Sequence, residues 1–166
     1  MKTKHFVLFC LAMVLSLQLQ AQEGVRCYTT LGLSPKDSFG LRVGVLKNRI
    51  GGEVLLKSDV VRLGKDVSKY DGRKYHMAVM GGVSYWLIHN LMLSANVGYG
   101  ISGLYKVDAT QTTYGVDDLK TGIEAGLSLN ILFNRSFIFY FGLSCYPLGQ
   151  SEDLNREYSI GIGYMF

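Results

Sequence analysis

The chain is predicted to be all-β: an eight-stranded antiparallel up-and-down transmembrane β-barrel, preceded by a cleavable signal peptide. Three observations carry that expectation. A basic and apolar leader occupies the amino end, the later apolar segments repeat every second residue, and the connections between them alternate between tight and long. A period of two means strands, because successive side chains on a strand point to opposite faces.

The leader comes first. Lys2 and Lys4 precede an apolar run from Phe6 to Leu17, and a short polar stretch ends at Ala21. This is the pattern of a secretory signal peptide. The run is too short to cross ~30 Å of hydrocarbon, which takes about 20 residues. Cleavage is expected after Ala21, with Leu19 and Ala21 at the two positions that prefer small or apolar side chains. Cys10 lies inside the run, so lipidation is not expected. Residues 1–21 are therefore assigned to the signal and 22–166 to one barrel domain.

That domain, about 145 residues, is the size of a single folding unit. Without Lys2 and Lys4, 15 of the 17 basic side chains remain against 13 acidic ones, a balance of +2. Such near-neutrality argues against a nucleic-acid partner. Twenty glycines and eleven tyrosines with only two prolines exclude collagen-like and disordered readings, since aromatic and β-branched content is high.

Eight strands follow, at roughly 25 to 33, 38 to 47, 50 to 61, 75 to 87, 91 to 105, 118 to 133, 137 to 147 and 156 to 166. An even number is what a closed bacterial barrel requires. The tight connections are Lys47-Asn48-Arg49, Ile88-His89-Asn90 and Asn134-Arg135-Ser136. Each contains an asparagine, which tolerates the left-handed conformation of tight hairpins. The other four connections are longer, including Arg62 to Lys74 and Lys106 to Asp117. With the amino end on the periplasmic side, the tight turns fall in the periplasm and the long loops outside, the asymmetry of outer-membrane barrels.

Parity within the strands is clean over most of the chain. In the fifth, Leu91, Leu93, Ala95, Val97, Tyr99 and Ile101 oppose Ser94, Asn96, Gly98, Gly100 and Ser102; in the sixth, Ile123 to Phe133 oppose Lys120 to Asn130 in the same way. One face is bulky and apolar, the other small or charged. An eight-stranded barrel is only just wide enough for side chains to fill it, so bulky residues from every strand would overpack it. The small and charged face is expected inside and the apolar face against lipid. Phe39, Tyr75, Tyr105 and Tyr158 then fall at the outer ends of the lipid-facing rows, and Tyr85, Phe133, Phe137, Tyr164 and Phe166 at the inner ends, as two interfacial girdles.

The last strand carries a more specific signal. Tyr158, Ile160, Ile162, Tyr164 and the final Phe166 alternate with smaller residues, and this run resembles the carboxy-terminal assembly signal of outer-membrane barrels. The segment Ala95-Asn96-Val97-Gly98-Tyr99-Gly100 resembles the porin-like eight-stranded barrels of Gram-negative bacteria, of the type of the OmpA transmembrane domain and OmpX. The resemblance implies export to the outer membrane and contact with the barrel-assembly machinery during insertion; the protein is expected to be a monomer. The chain ends at Phe166, so no following peptidoglycan-binding domain is expected.

Chemistry is sparse. Beyond His5 in the leader, His76 and His89 have no metal-ligand partner two or four residues on, and zinc needs several ligands at fixed spacing. No metal or cofactor is expected. Some eight-stranded barrels are lipid A deacylases or acyltransferases, and likeness to those would imply a His, a Ser and an acid near the outer leaflet. Parity turns His76, Ser84 and Ser102 into the lumen instead, so no triad forms on the lipid face; the best alternative pairing is His76 with Glu157 or Asp59. Cys27 and Cys145 lie on non-adjacent strands at opposite ends, beyond the ~7 Å that a disulfide spans, and are expected as free thiols.

Charge collects in the lumen, where Arg26, Arg42, Glu53, Lys57, Lys120, Glu124 and Glu157 take the inward parity. Charges in a narrow interior are costly unless paired, so a salt-bridge network is expected, with Glu124 paired across strands and not with Lys120. The favoured reading is a plugged barrel serving as a surface platform; the alternative is a narrow channel, and an enzyme ranks below both. On the second outer loop Arg62, Lys65, Lys69, Arg73 and Lys74 outnumber Asp66 and Asp71, which suggests contact with lipopolysaccharide phosphates or a merely solvated tip.

Overall fold

The structure, a computed structural model, describes residues 24–34, 38–59, 74–88, 90–107, 114–134, 136–146 and 155–166. The leader, residues 1–21, lies outside them. Eight strands run in chain order: β1 Val25–Leu33, β2 Ser38–Lys47, β3 Ile50–Asp59, β4 Lys74–Ile88, β5 Leu91–Val107, β6 Tyr114–Phe133, β7 Phe137–Tyr146 and β8 Asn155–Met165. Each pairs antiparallel with the next, and β1 pairs with β8 to close the barrel. Closure satisfies every strand edge within the hydrocarbon, where an unpaired backbone group costs several kcal/mol.

Two of the three tight turns work through their asparagines. Asn48 and Asn134 both adopt positive φ, 60° and 49°, the conformation asparagine tolerates better than other L-residues. Between β5 and β6 the expected loop is shorter than its polar sequence suggests. Pairing continues past a register shift between Ser102 and Leu104 as far as Val107 opposite Tyr114. The two strands are thus 17 and 20 residues long, against 10 for β2 and β3.

Burial follows the expected parity. Val79, Val83, Val97, Ile123, Leu127, Ile160 and Ile162 are exposed on the outside. A continuous apolar belt of this extent far exceeds the ~300 to 600 Å² patches of soluble monomers and matches a lipid-facing surface. At its turn end, Phe137 packs edge-on against Tyr164, Tyr164 against Phe166, and Phe133 against Phe139.

The inward face differs from expectation. It is not made only of small and charged residues: Tyr28, Leu46, Leu55, Met80, Met92, Leu132, Ile138, Tyr140 and Met165 are all buried. Glycines on neighbouring strands make the room. The Tyr28 ring lies where a Cβ on Gly44 would sit, and the Tyr140 ring lies over Gly32 and Gly161. Volume is balanced across the lumen, layer by layer, rather than residue by residue along one strand.

Candidate functional site: the filled lumen

The interior is stacked in three levels, set by distance along the strands from the tight turns. The level nearest the turns is apolar. Tyr28, Leu46, Met92, Leu132, Ile138, Tyr140 and Met165 form one buried cluster, with Trp86 packed against it.

Above it, Glu53 on β3 is the centre of a polar level. Tyr28 Oη donates to Glu53 Oε2, and Ser84 Oγ donates to the same oxygen at 2.6 Å. Arg42 lies 3.4 Å from the other carboxylate oxygen, and its Nη1 donates to Ser128 at 2.7 Å and Asn130 at 3.2 Å. The guanidinium also stands 5.0 Å from the Tyr140 ring centroid, where the ring's negative face attracts it.

The outermost level is an ion-pair ring. Lys57 is four residues beyond Glu53, ~13 Å along the strand. Its Nζ donates to Glu124 at 2.6 Å, to Glu157 at 3.1 Å and to the Ser144 hydroxyl. His76 bridges the same two carboxylates from the other side, with Nε2 2.9 Å from Glu124 and Nδ1 3.8 Å from Glu157. Glu124 is fully buried, so each of its oxygens is met by a cationic or hydrogen-bonding group from a different strand. The cavity bordered by Arg42, Lys57, Tyr140 and Glu157 has a volume of only ≈ 20 Å³, about enough for one water.

Of the seven charges placed in the lumen by parity, the structure brings five together in these two levels: Arg42, Glu53, Lys57, Glu124 and Glu157. Arg26 and Lys120 stand apart and are exposed. Parity gives the direction of a side chain but not its height, and both residues belong to the mouths. Arg26 folds over the Trp86 ring, 5.1 Å from its centroid, and Lys120 lies opposite Ser102, beside the register shift. His76 was legible only as a possible partner of Glu157 or Asp59, of which the structure shows Glu157; its shorter contact to Glu124, 48 residues away, leaves no sequence signal. Tyr28 and Tyr140 were missed, and the glycines that seat them were the available clue.

Cys27 and Cys145 are free thiols, the first buried and the second partly so. Along β8, Tyr158, Ile160, Ile162 and Tyr164 point outward, and the Phe166 amide donates to the Cys27 carbonyl at 2.8 Å. Arg62, Lys65, Lys69 and Arg73 lie outside the described residues, and Lys74 is the first residue of β4.

This architecture, closed, eight-stranded, filled inside and apolar outside, is that of the small outer-membrane β-barrels. Among solved structures, the chain is similar to Ail, the attachment invasion locus protein of Yersinia pestis, in its complex with the heparin analogue sucrose octasulfate: TM-score 0.57 at 16% identity, over 86% of this chain and 96% of that one. The backbone structure of the same outer-membrane protein in a phospholipid nanodisc gives 0.56 at 15%, over 86% and 98%. At such identity the likeness is one of fold. No family model matches the chain, and no curated protein matches it.

Proposed function

We propose that this protein is a monomeric outer-membrane platform whose lumen is plugged and whose outer loops do the work of interaction. The observation that carries the reading is the stacked interior. Two polar levels, in which Arg42 and Lys57 are both ion-paired, sit on an apolar layer, and an ion crossing that layer would have to shed its water without replacement. Charge pairs and packed side chains here replace the hydrophobic core of a soluble protein. The test is conductance: the purified barrel in planar bilayers is expected to give no steady unitary current, and reproducible channels of water-filled size would favour the transporter reading instead.

Insertion is assigned to recognition of the β8 row ending at Phe166 by the barrel-assembly machinery. For the loops, the reading is contact with phosphorylated lipid heads. Arg62, Lys65, Lys69, Arg73 and Lys74 supply a cluster for charge-assisted bonds to phosphate or sulfate oxygens. The polyanion bound by the Ail neighbour suggests a second probe beside lipopolysaccharide. Replacing the five residues with glutamine should weaken both interactions and flatten their salt dependence, since exposed charges act only at close range in physiological salt, within ~8 Å. Unchanged affinity for both would remove this loop from the proposal.

A further inference from the structure

Arg26, left out of the lumen network, belongs to a second feature at the opposite end of the barrel. Below the apolar layer, the mouth at which β1 begins and β8 ends, beside the tight turns, opens into a basin of ≈ 900 Å³, within the range of small-molecule pockets. Its composition is one-sided. Its lining includes two basic residues, Arg26 and Arg49, an asparagine from each of the three turns, Asn48, Asn90 and Asn134, and the apolar Trp86 and Leu132. No acidic side chain lines it among the described residues.

The parts are held in place. Arg26 is positioned by Trp86, 5.1 Å from the ring centroid, and Trp86 is anchored by its packing on the buried cluster and by its backbone amide, which donates to the Arg49 carbonyl at 2.8 Å. The same hydrogen bond therefore ties the backbone of one arginine to the floor beneath the other. Planar guanidinium forks match oxyanions in geometry as well as charge, and an indole floor accepts an apolar body.

We infer that this mouth is a binding site for a small amphiphilic oxyanion, with its phosphate or carboxylate head at Arg26 and Arg49 and its apolar portion against Trp86 and Leu132. In an outer-membrane barrel this end faces the periplasm, so the ligand is either a soluble periplasmic ester or the head of an inner-leaflet lipid. The plug and the site are independent, because the basin lies on one side of the apolar layer and needs no passage through it.

Trp86 is the single tryptophan of the chain, so its emission reports on the basin directly. The full-length barrel in nanodiscs of zwitterionic lipid would be titrated with butyl phosphate, inorganic phosphate and butanol, with phosphorus NMR line broadening as a second readout. Butyl phosphate should give a saturable response, inorganic phosphate one weaker by roughly tenfold, and butanol none, as expected if the head anchors binding and the body adds about one order of magnitude. Arg26→Gln and Arg49→Gln should each weaken butyl phosphate binding by roughly tenfold, the scale of one charge-assisted contact, while Lys47→Gln, on the same rim but outside the basin lining, should not. Equal loss in Lys47→Gln, or an equal response to butanol, would overturn the site. Nanodiscs containing anionic lipid separate the sources: competition assigns the head to lipid, and undiminished binding assigns it to a soluble ester.

Discussion

Replacing Lys57 with alanine removes one ammonium from a ring that has no room to rearrange. In the intact ring Lys57 sits 2.6 Å from Glu124 and 3.1 Å from Glu157. At an effective dielectric of about 20 each contact is a gross attraction of about 5 to 6 kcal/mol. Most of that offsets the desolvation of three ions, so the intact ring contributes little net stability. The variant is different: it leaves two carboxylates, Glu124 fully buried, facing each other across His76. Removing one partner of a buried pair typically costs about 3 to 5 kcal/mol, and that is the expected loss in reversible urea unfolding of the barrel in lipid vesicles. Adding Glu124→Gln to Lys57→Ala should recover part of it, because the second change removes the uncompensated charge. A loss under about 1 kcal/mol, with no recovery in the double variant, would mean that the ring is hydrated and open, contrary to the burial and distances on which the plug rests.

Other consequences can be checked in the same assays. Leu127→Arg places a charge in the middle of the lipid-facing row of β6, where Leu127 is 56% exposed; it should cost roughly 2 to 4 kcal/mol at the bilayer midplane, and tolerance equal to that of Leu127→Val would reverse the assigned parity. Phe166→Ser should lower the amount of heat-modifiable barrel recovered from outer membranes, and wild-type recovery would exclude a role in insertion. Gly32→Ala puts a Cβ into the Tyr140 hydroxyl and should cost about 1 to 3 kcal/mol by overpacking. Tyr140→Phe should relieve it in part; absence of any relief would show that the ring is not what the glycine accommodates.

The membrane-facing half of the fold was legible because lipid enforces a strict code: backbone groups must pair in a closed sheet, and alternate residues must be apolar. Val79 and Ile162 obey it and were placed correctly by parity. The turns were legible through Asn48 and Asn134, whose positive φ is the chemistry their residue type suggests. The extension of β5 and β6 to Val107 and Tyr114 was not, since the polar stretch 108–113 between them reads together with their ends as one long loop. Inside, parity found Arg42, Glu53, Lys57, Glu124 and Glu157 but could not separate them from Arg26 and Lys120, whose heights put them at the mouths. Met92 and Ile138 were unexpected in the lumen because the space for them is created by residues on other strands, a sum that only the assembled barrel performs.

The seat of Tyr140 bears on how the barrel comes together in time. Gly32 and Gly161 face each other across the junction of β1 and β8, whose ladder, from Tyr28 opposite Met165 to Leu33 opposite Ile160, is the shortest of the eight among the described residues. The notch for the ring therefore exists only once the first and last strands have met. An open sheet would leave the ring unplaced and two strand edges unpaired, so closure is rewarded by an event far in sequence from either edge glycine's own neighbours. In reverse, the barrel cannot unzip at its shortest junction without first lifting an aromatic ring from a close-fitting backbone groove. Interactions formed after the folding barrier slow unfolding more than they speed folding, which makes this one side chain a fastener whose effect is on the lifetime of the closed state.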